Sequence, residues 1–327
     1  MLKAGLIGRL CYLGILLGWV AVAQAQFGEE VGKNETGGVS GGTLGASKTR
    51  TFRVGVTITA KSGPCDGIVA AIPIPVNWTE QQVKVSMEDI APTAKVAFRP
   101  GQSGLKQMIV EIPHINPGEV SKAILTLEIT KSAIIAPSDT SVFVIPKNPP
   151  RDVRIHLGTS PNIESTNPKI KTFAKEAFEG QEGAWNQIES LYKAVREKVK
   201  FEPEKGRKGA IGALKDGKAN RDDMTALFVA GCRSMKIPAR FVWVTDSCYA
   251  EFYLDEGKGK GVWLPAQVWG DKEEFGFVSD TRPILQKGDN LKIPESKDVY
   301  GFVPEKLTGR GGAPSAEFVR RLEDTLP

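Results

Sequence analysis

From Thr51 onward, apolar residues recur at every second position: Phe52, Val54, Val56 and Ile58, then Val83, Val85 and Met87, then Met108, Val110 and Ile112, then Ala123, Leu125, Leu127 and Ile129. A period of two lines one face of an extended chain, and turn-forming clusters bound the runs, among them Gly63-Pro64, Pro100-Gly101 and Asn116-Pro117-Gly118. About six or seven such strands in roughly 100 residues predict a β-sandwich over residues 51–150. Asn148-Pro149-Pro150 ends it, because consecutive prolines continue neither a helix nor a central strand.

Beyond the prolines the period lengthens to 3.6. Asn167 is placed to cap a helix with Pro168 at its first position and Ile170, Phe173, Ala174 and Ala177 on one face. A longer helix is expected from about Ala184 to Lys200, with Trp185, Ile188, Tyr192, Val195 and Val199 in a stripe. Such stripes are ordinary core. Strands before the boundary and helices after it predict an α+β protein, a β-sandwich followed by a second domain over residues 151–309 that opens with helices.

The chain of 327 residues is long enough for two cores. Its front reads as an address: Lys3 and Arg9 precede or flank an apolar run from Leu10 to Val22, which ends in the small residues Ala23-Gln24-Ala25. The run is shorter than the ~20 residues a spanning helix needs, so residues 1–25 are expected to be a cleaved signal peptide, with no membrane span left after removal and a secreted or periplasmic destination. A glycine-rich linker over residues 26–50 and a polar tail over 310–327 complete the expected organisation. Losing Lys3 and Arg9 lowers the formal charge from +5 to +3, too small an excess to imply a nucleic-acid partner. The mature chain would keep Cys65, Cys232 and Cys248, enough for at most one bridge.

The informative stretch runs from Ala213 to Gln267. It reads ALKDGKANRDDMTALFVAGCRSMKIPARFVWV at 213–244, SCYAEFYL at 247–254 and GKGVWLPAQ at 259–267. The ordered set of Leu227-Phe228, Arg233, Ile237-Pro238-Ala239-Arg240, Glu251-Phe252-Tyr253 and Trp263 resembles the transglutaminase-like superfamily of papain-like cysteine hydrolases. The resemblance implies a buried helix opening with a cysteine, a strand opening with a histidine and a further strand bearing an acid or amide. A thiol at a helix start feels the dipole and the unpaired N–H groups that favour thiolate; the histidine takes its proton, and the third group orients the ring.

On that spacing the cysteine position holds Arg221, the histidine position Ser247 and the third position Gln267. Arginine has no lone pair to attack or accept a proton with, so no catalytic residue is assigned. Arg221, Ser247, Gln267, Tyr249 and Trp263 are instead expected to line a degenerate groove for a protein or peptide ligand. The chain's two histidines, His114 and His156, both precede this segment, and a structural or solvent-facing role is expected for His156. Cys232, about three turns into the helix, reads as a packing residue, and Cys248 should face away from Ser247. Asp222-Asp223 reads as dipole-serving rather than catalytic. Lys205, Arg207, Lys208, Lys215, Lys218 and Arg221 form a basic stretch at the helix entrance, either a solvated loop or an anion site. There Arg221 is expected to pair with Asp222, Asp223 or Asp246, or to meet an anionic ligand. No motif for a metal or nucleotide cofactor is present. The rival reading is an active peptidase, amidase or crosslinker using a displaced cysteine such as Cys248.

Overall fold

The computed structural model describes residues 43–323 apart from 204, 257–260 and 295. The predicted signal peptide and the linker up to residue 42 lie outside the described residues.

Six strands come first: β1 Thr43–Ala60, β2 Cys65–Ile74, β3 Gln81–Ile90, β4 Lys95–Pro100, β5 Lys106–Ile115 and β6 Val120–Ile135. After a one-turn helix at Arg151–Arg154, the longer helices are α1 Pro168–Phe178, α2 Ala184–Lys198, α3 Gly209–Asp216 and α4 Arg221–Ser234. Then come β7 Ala239–Val244, β8 Ser247–Asp255, β9 Gly261–Gln267, β10 Glu274–Phe275, β11 Ile284–Lys287, β12 Lys306–Gly311 and β13 Pro314–Glu323.

Two four-stranded sheets, ordered β13-β1-β6-β3 and β12-β2-β5-β4, form the sandwich. The period-two residues Phe52, Val54, Val56 and Ile58 meet Met108, Val110, Ile112, Ala123, Leu125, Leu127 and Ile129 between the sheets, all buried. Met87 departs from its predicted face. A bulge between Val85 and Met87 shifts the register, so Met87 lies opposite outward-facing Thr126 and is 60% exposed, while Ile90 takes up the inward phase.

The expected polar tail is also corrected. Residues 314–323 are strand β13, paired with β1 from Thr51↔Glu323 to Ala60↔Pro314. Phe318 and Leu322 pack on the sandwich core, and the intervening Arg320 and Arg321 fit an edge strand, which disguises the alternation. The linker expectation fails from Thr43 to Arg50, because these residues begin β1, which pairs with β6 from Thr43↔Ile135 onward.

The core folds as its periods predict. Asn167 caps α1, its side-chain oxygen accepting from Lys169 N at 2.9 Å, with Pro168 at the first position. Ile170 and Ala174 of α1 and Ile188, Tyr192 and Val195 of α2 are buried against α4, which is itself buried from Asp223 to Arg233. The other side of α4 packs on the five-stranded sheet β10-β9-β8-β7-β11. Cys248, Ala250, Phe252 and Leu254 of β8 face the helices, whereas Tyr249 joins Val242, Val244 and Ile284 against Val76, Trp78 and Ile134. The sandwich therefore covers the sheet face opposite α4.

Candidate functional site

The start of α4 is fixed by its cap. Asn220 has extended φ/ψ and accepts from Asp223 N at 2.9 Å, while its amide donates to Gly206 O at 2.6 Å. Asp222 and Asp223 then separate in role. Asp223 is buried and accepts from Lys208 N at 3.0 Å and Gly209 N at 2.9 Å, tying down the loop before α3. Asp222 points to the exposed end, where Arg221 Nε lies at 3.6 Å and Arg207 Nε at 3.5 Å. Arg221 thus has the carboxylate neighbour the sequence predicts. With its side chain 45% exposed, the pair contributes ~0–1 kcal/mol.

Arg207 lies over the rings of Trp243 at 5.1 Å and Phe241 at 5.7 Å. Lys208 and Lys218 of the basic stretch approach Asp216 at 3.4 Å and Glu202 at 3.3 Å. Most of the entrance cations thus already have carboxylate neighbours.

Cys248 occupies the β8 position facing this helix start. Its Sγ lies 3.4 Å from Asp222 Oδ1 and 3.6 Å from Thr225 Oγ1. Burial, and then the Asp222 carboxylate, hold the thiol well above its ordinary pKa, so it remains protonated near neutrality. That opposes what a nucleophile needs. Trp269 Nε1 donates to Cys248 O at 2.8 Å and closes the other side. Thr225 and Trp269 were not singled out from sequence, and Asp222 was expected only to serve the dipole or pair with Arg221; the apolar parity of 248, 250, 252 and 254 was the signal that places Cys248 toward the helix. Cys232 is fully buried within α4, and burial raises its pKa strongly.

The structure brings Arg221 and Cys248 to one place through Asp222, and sets the other named residues on the opposite face of the sheet. Ser247 pairs across the β7–β8 hairpin with Val244, which packs on the sandwich. Ser247 is 6% exposed, and its Oγ has no hydrogen-bond partner among the described residues. Tyr249 follows on that face. Trp263 also faces away from α4, packed on Tyr253 and Val153, and alternation puts the half-buried Gln267 on the same face.

Neither histidine reaches the helix start. His156 is buried edge-on against Trp263 at 5.4 Å, and burial, then Arg240, lowers its pKa to about 3. His114 lies on β5 of the sandwich, with Nδ1 2.7 Å from Asp66 Oδ1. The described residues contain no group of three or more His, Cys, Asp or Glu able to hold a metal ion, and Cys65, Cys232 and Cys248 are free thiols.

A core of three helices on an antiparallel sheet, with one buried helix opening at the sheet's end, is the architecture of papain-like hydrolases. The sequence profile of the transglutaminase-like superfamily matches residues 171–268, and this segment is a transglutaminase-like domain. Among solved structures, a "putative cysteine protease" from Cytophaga hutchinsonii is 14% identical, with a TM-score of 0.54 over 87% of this chain and 94% of that one. A "putative protease" from Parabacteroides distasonis is 12% identical, with a TM-score of 0.27 over 74% of this chain and 49% of that one. The first likeness shows the fold alone. No curated protein matches the sequence. No described helix is long and apolar enough to cross a membrane.

Proposed function

We propose that this is an exported transglutaminase-like protein without cysteine-hydrolase activity, whose core acts as a binding or structural module for a protein or peptide ligand. One observation carries the reading: the helix start that would hold the nucleophile presents Arg221, paired with Asp222, and neither His114 nor His156 approaches it. A nucleophile and its base act as a unit, and losing either removes a factor on the order of 10⁶ in one hydrolase. The exported state rests on the sequence of residues 1–25, and sequencing the N-terminus of protein recovered from its host tests it: a start at Gln26 is expected.

A second reading, an enzyme using Cys248, draws on the 3.4 Å approach of its sulfur to Asp222 at the helix start. The two are separated by assaying glutamine deamidation, amine incorporation and peptide hydrolysis in the unaltered protein and in a Cys232→Ser, Cys248→Ser variant. No turnover in either is expected. Turnover present in the first and lost in the second establishes the enzyme.

A further inference from the structure

The seam between the sandwich and the five-stranded sheet holds buried charges that do not balance. Lys287 Nζ donates to Glu80 Oε1 of the sandwich at 2.7 Å and to Glu251 Oε1 of β8 at 2.9 Å. Arg240 Nε donates to the other oxygen of Glu251 at 2.7 Å, with its guanidinium 4.1 Å from the Trp263 ring centroid. Lys131 of β6 is a third cation in the same seam, 0% exposed, its Nζ 5.9 Å from the centre of the Tyr249 ring. It donates to the backbone carbonyls of Asp280 at 2.6 Å and Ser132 at 3.5 Å, which carry no formal charge.

Two neighbouring carboxylates have arginine partners of their own, Asp280 with the partly exposed Arg282 and Asp289 with the buried Arg233, although Asp280 also acts on Lys131 through space. Arg50, at the rim, bonds to Thr281. Lys131, Lys287 and Arg240 thus stand against Glu80 and Glu251, an excess of one buried positive charge, which costs several kcal/mol if nothing answers it.

The neutral groups of the seam point to what answers it. Tyr249 Oη and Trp78 Nε1 are buried and have no hydrogen-bond partner among the described residues; an indole N–H can only donate. Both belong to one buried cluster, and the backbone places them beside Lys131: Trp78 bridges to Gln81, Gln81 lies opposite Lys131 across β3 and β6, and Glu80 O accepts from Ser132 N. Ser247 Oγ and Thr245 Oγ1, near the same hairpin, are likewise buried without partners. A buried cation hydrogen-bonded only to neutral carbonyls, beside donors without partners, is a surrounding that suits an anion.

We propose that a small monovalent anion of halide size binds in this seam, with the Lys131 ammonium supplying the charge and Tyr249 and Trp78 donating hydrogen bonds. A charge excess of one and burial on all sides disfavour a divalent or organic anion. The competing state is a neutral Lys131 amine hydrated by water, a form that burial favours.

The test follows thermal unfolding of the full chain as chloride or bromide replaces gluconate at constant ionic strength. The midpoint is expected to rise by about 2–5 °C between roughly 5 mM and 500 mM halide. The rise should shrink in Tyr249→Phe and disappear in Lys131→Met. A midpoint indifferent to the replacement, or an undiminished rise in Lys131→Met, overturns the proposal. Should Lys131→Met fail to fold, bromide-soaked crystals of the unaltered protein decide: an anomalous peak between Lys131 Nζ and Tyr249 Oη supports the site, and its absence overturns it.

Discussion

The two faces of the five-stranded sheet follow different physical rules. Toward α4 the sheet presents Cys248, Ala250, Phe252, Leu254, Leu264 and Ala266, an apolar surface whose polar contacts lie at one end, in half-exposed pairs around Asp222. Toward the sandwich it presents Arg240, Glu251, Lys287 and Tyr249, in fully buried pairs that join the two domains. Weak pairs at the helix start and buried ones at the seam mean that Arg221 and its neighbours are free to change at little cost in stability, while the seam is not. A scaffold organised this way tolerates change at the helix start more readily than at the seam.

The sharpest way to break the comparison is truncation. Ending the chain at Glu305 removes β12 and β13, uncovers the edges of β1 and β2 and strips Leu307, Phe318 and Leu322 from the sandwich core. Loss of cooperative unfolding of the sandwich by circular dichroism and hydrogen exchange is expected; retention would mean these strands only decorate it. Next in size, Glu251→Ala leaves Lys287 and Arg240 facing each other in the interior and should cost about 3–5 kcal/mol by denaturant titration. A loss below about 1 kcal/mol would show the seam to be hydrated rather than tight.

His156 gives a pH signature. Its folded pKa of about 3 lies below the ordinary histidine value of 6.5, so below about pH 6.5 the unfolded chain binds a proton that the folded one refuses. The stability this contributes is fully present above pH 6.5 and falls as pH drops toward 3, by up to about 1.4 kcal/mol per pH unit. His156→Gln should flatten that slope in stability measured from pH 7 to 4; an unchanged slope assigns it elsewhere. The smallest effect belongs to the helix start. Arg221→Ala is expected to change stability by less than about 1 kcal/mol, with a small gain possible because a cation leaves the positive end of a helix. A loss above about 2 kcal/mol would place Arg221 among the structural residues.

Much of this was legible in the sequence, and the failures have physical causes. Period two found β1, β5 and β6, which have strands on both sides and a fully buried inner face, and also the edge strand β3, while β2 gave no such run. It missed β13 because an edge strand buries Phe318 and Leu322 only partly and exposes arginines between them. It misplaced Met87 because a bulge resets the phase without changing residue types. At the site, motif spacing located Arg221, and strand parity separated Cys248 from Ser247. The seam was not readable, since Lys131, Glu80, Glu251 and Lys287 are far apart in the chain and singly look like surface charges. Only the packing of the sandwich on the sheet makes them neighbours.

The antiparallel pairing of β1 with β13 also has a mechanical consequence. The β1–β13 pairing ends with Thr51 directly opposite Glu323, so the N-terminal end of the paired part of β1 and the C-terminal end of β13 lie side by side. A tension applied through those two points loads the β1–β13 hydrogen bonds one after another, in peeling, rather than all together in shear. The fold would therefore open first at this edge under modest force, releasing β13 while α4 and its sheet stay intact.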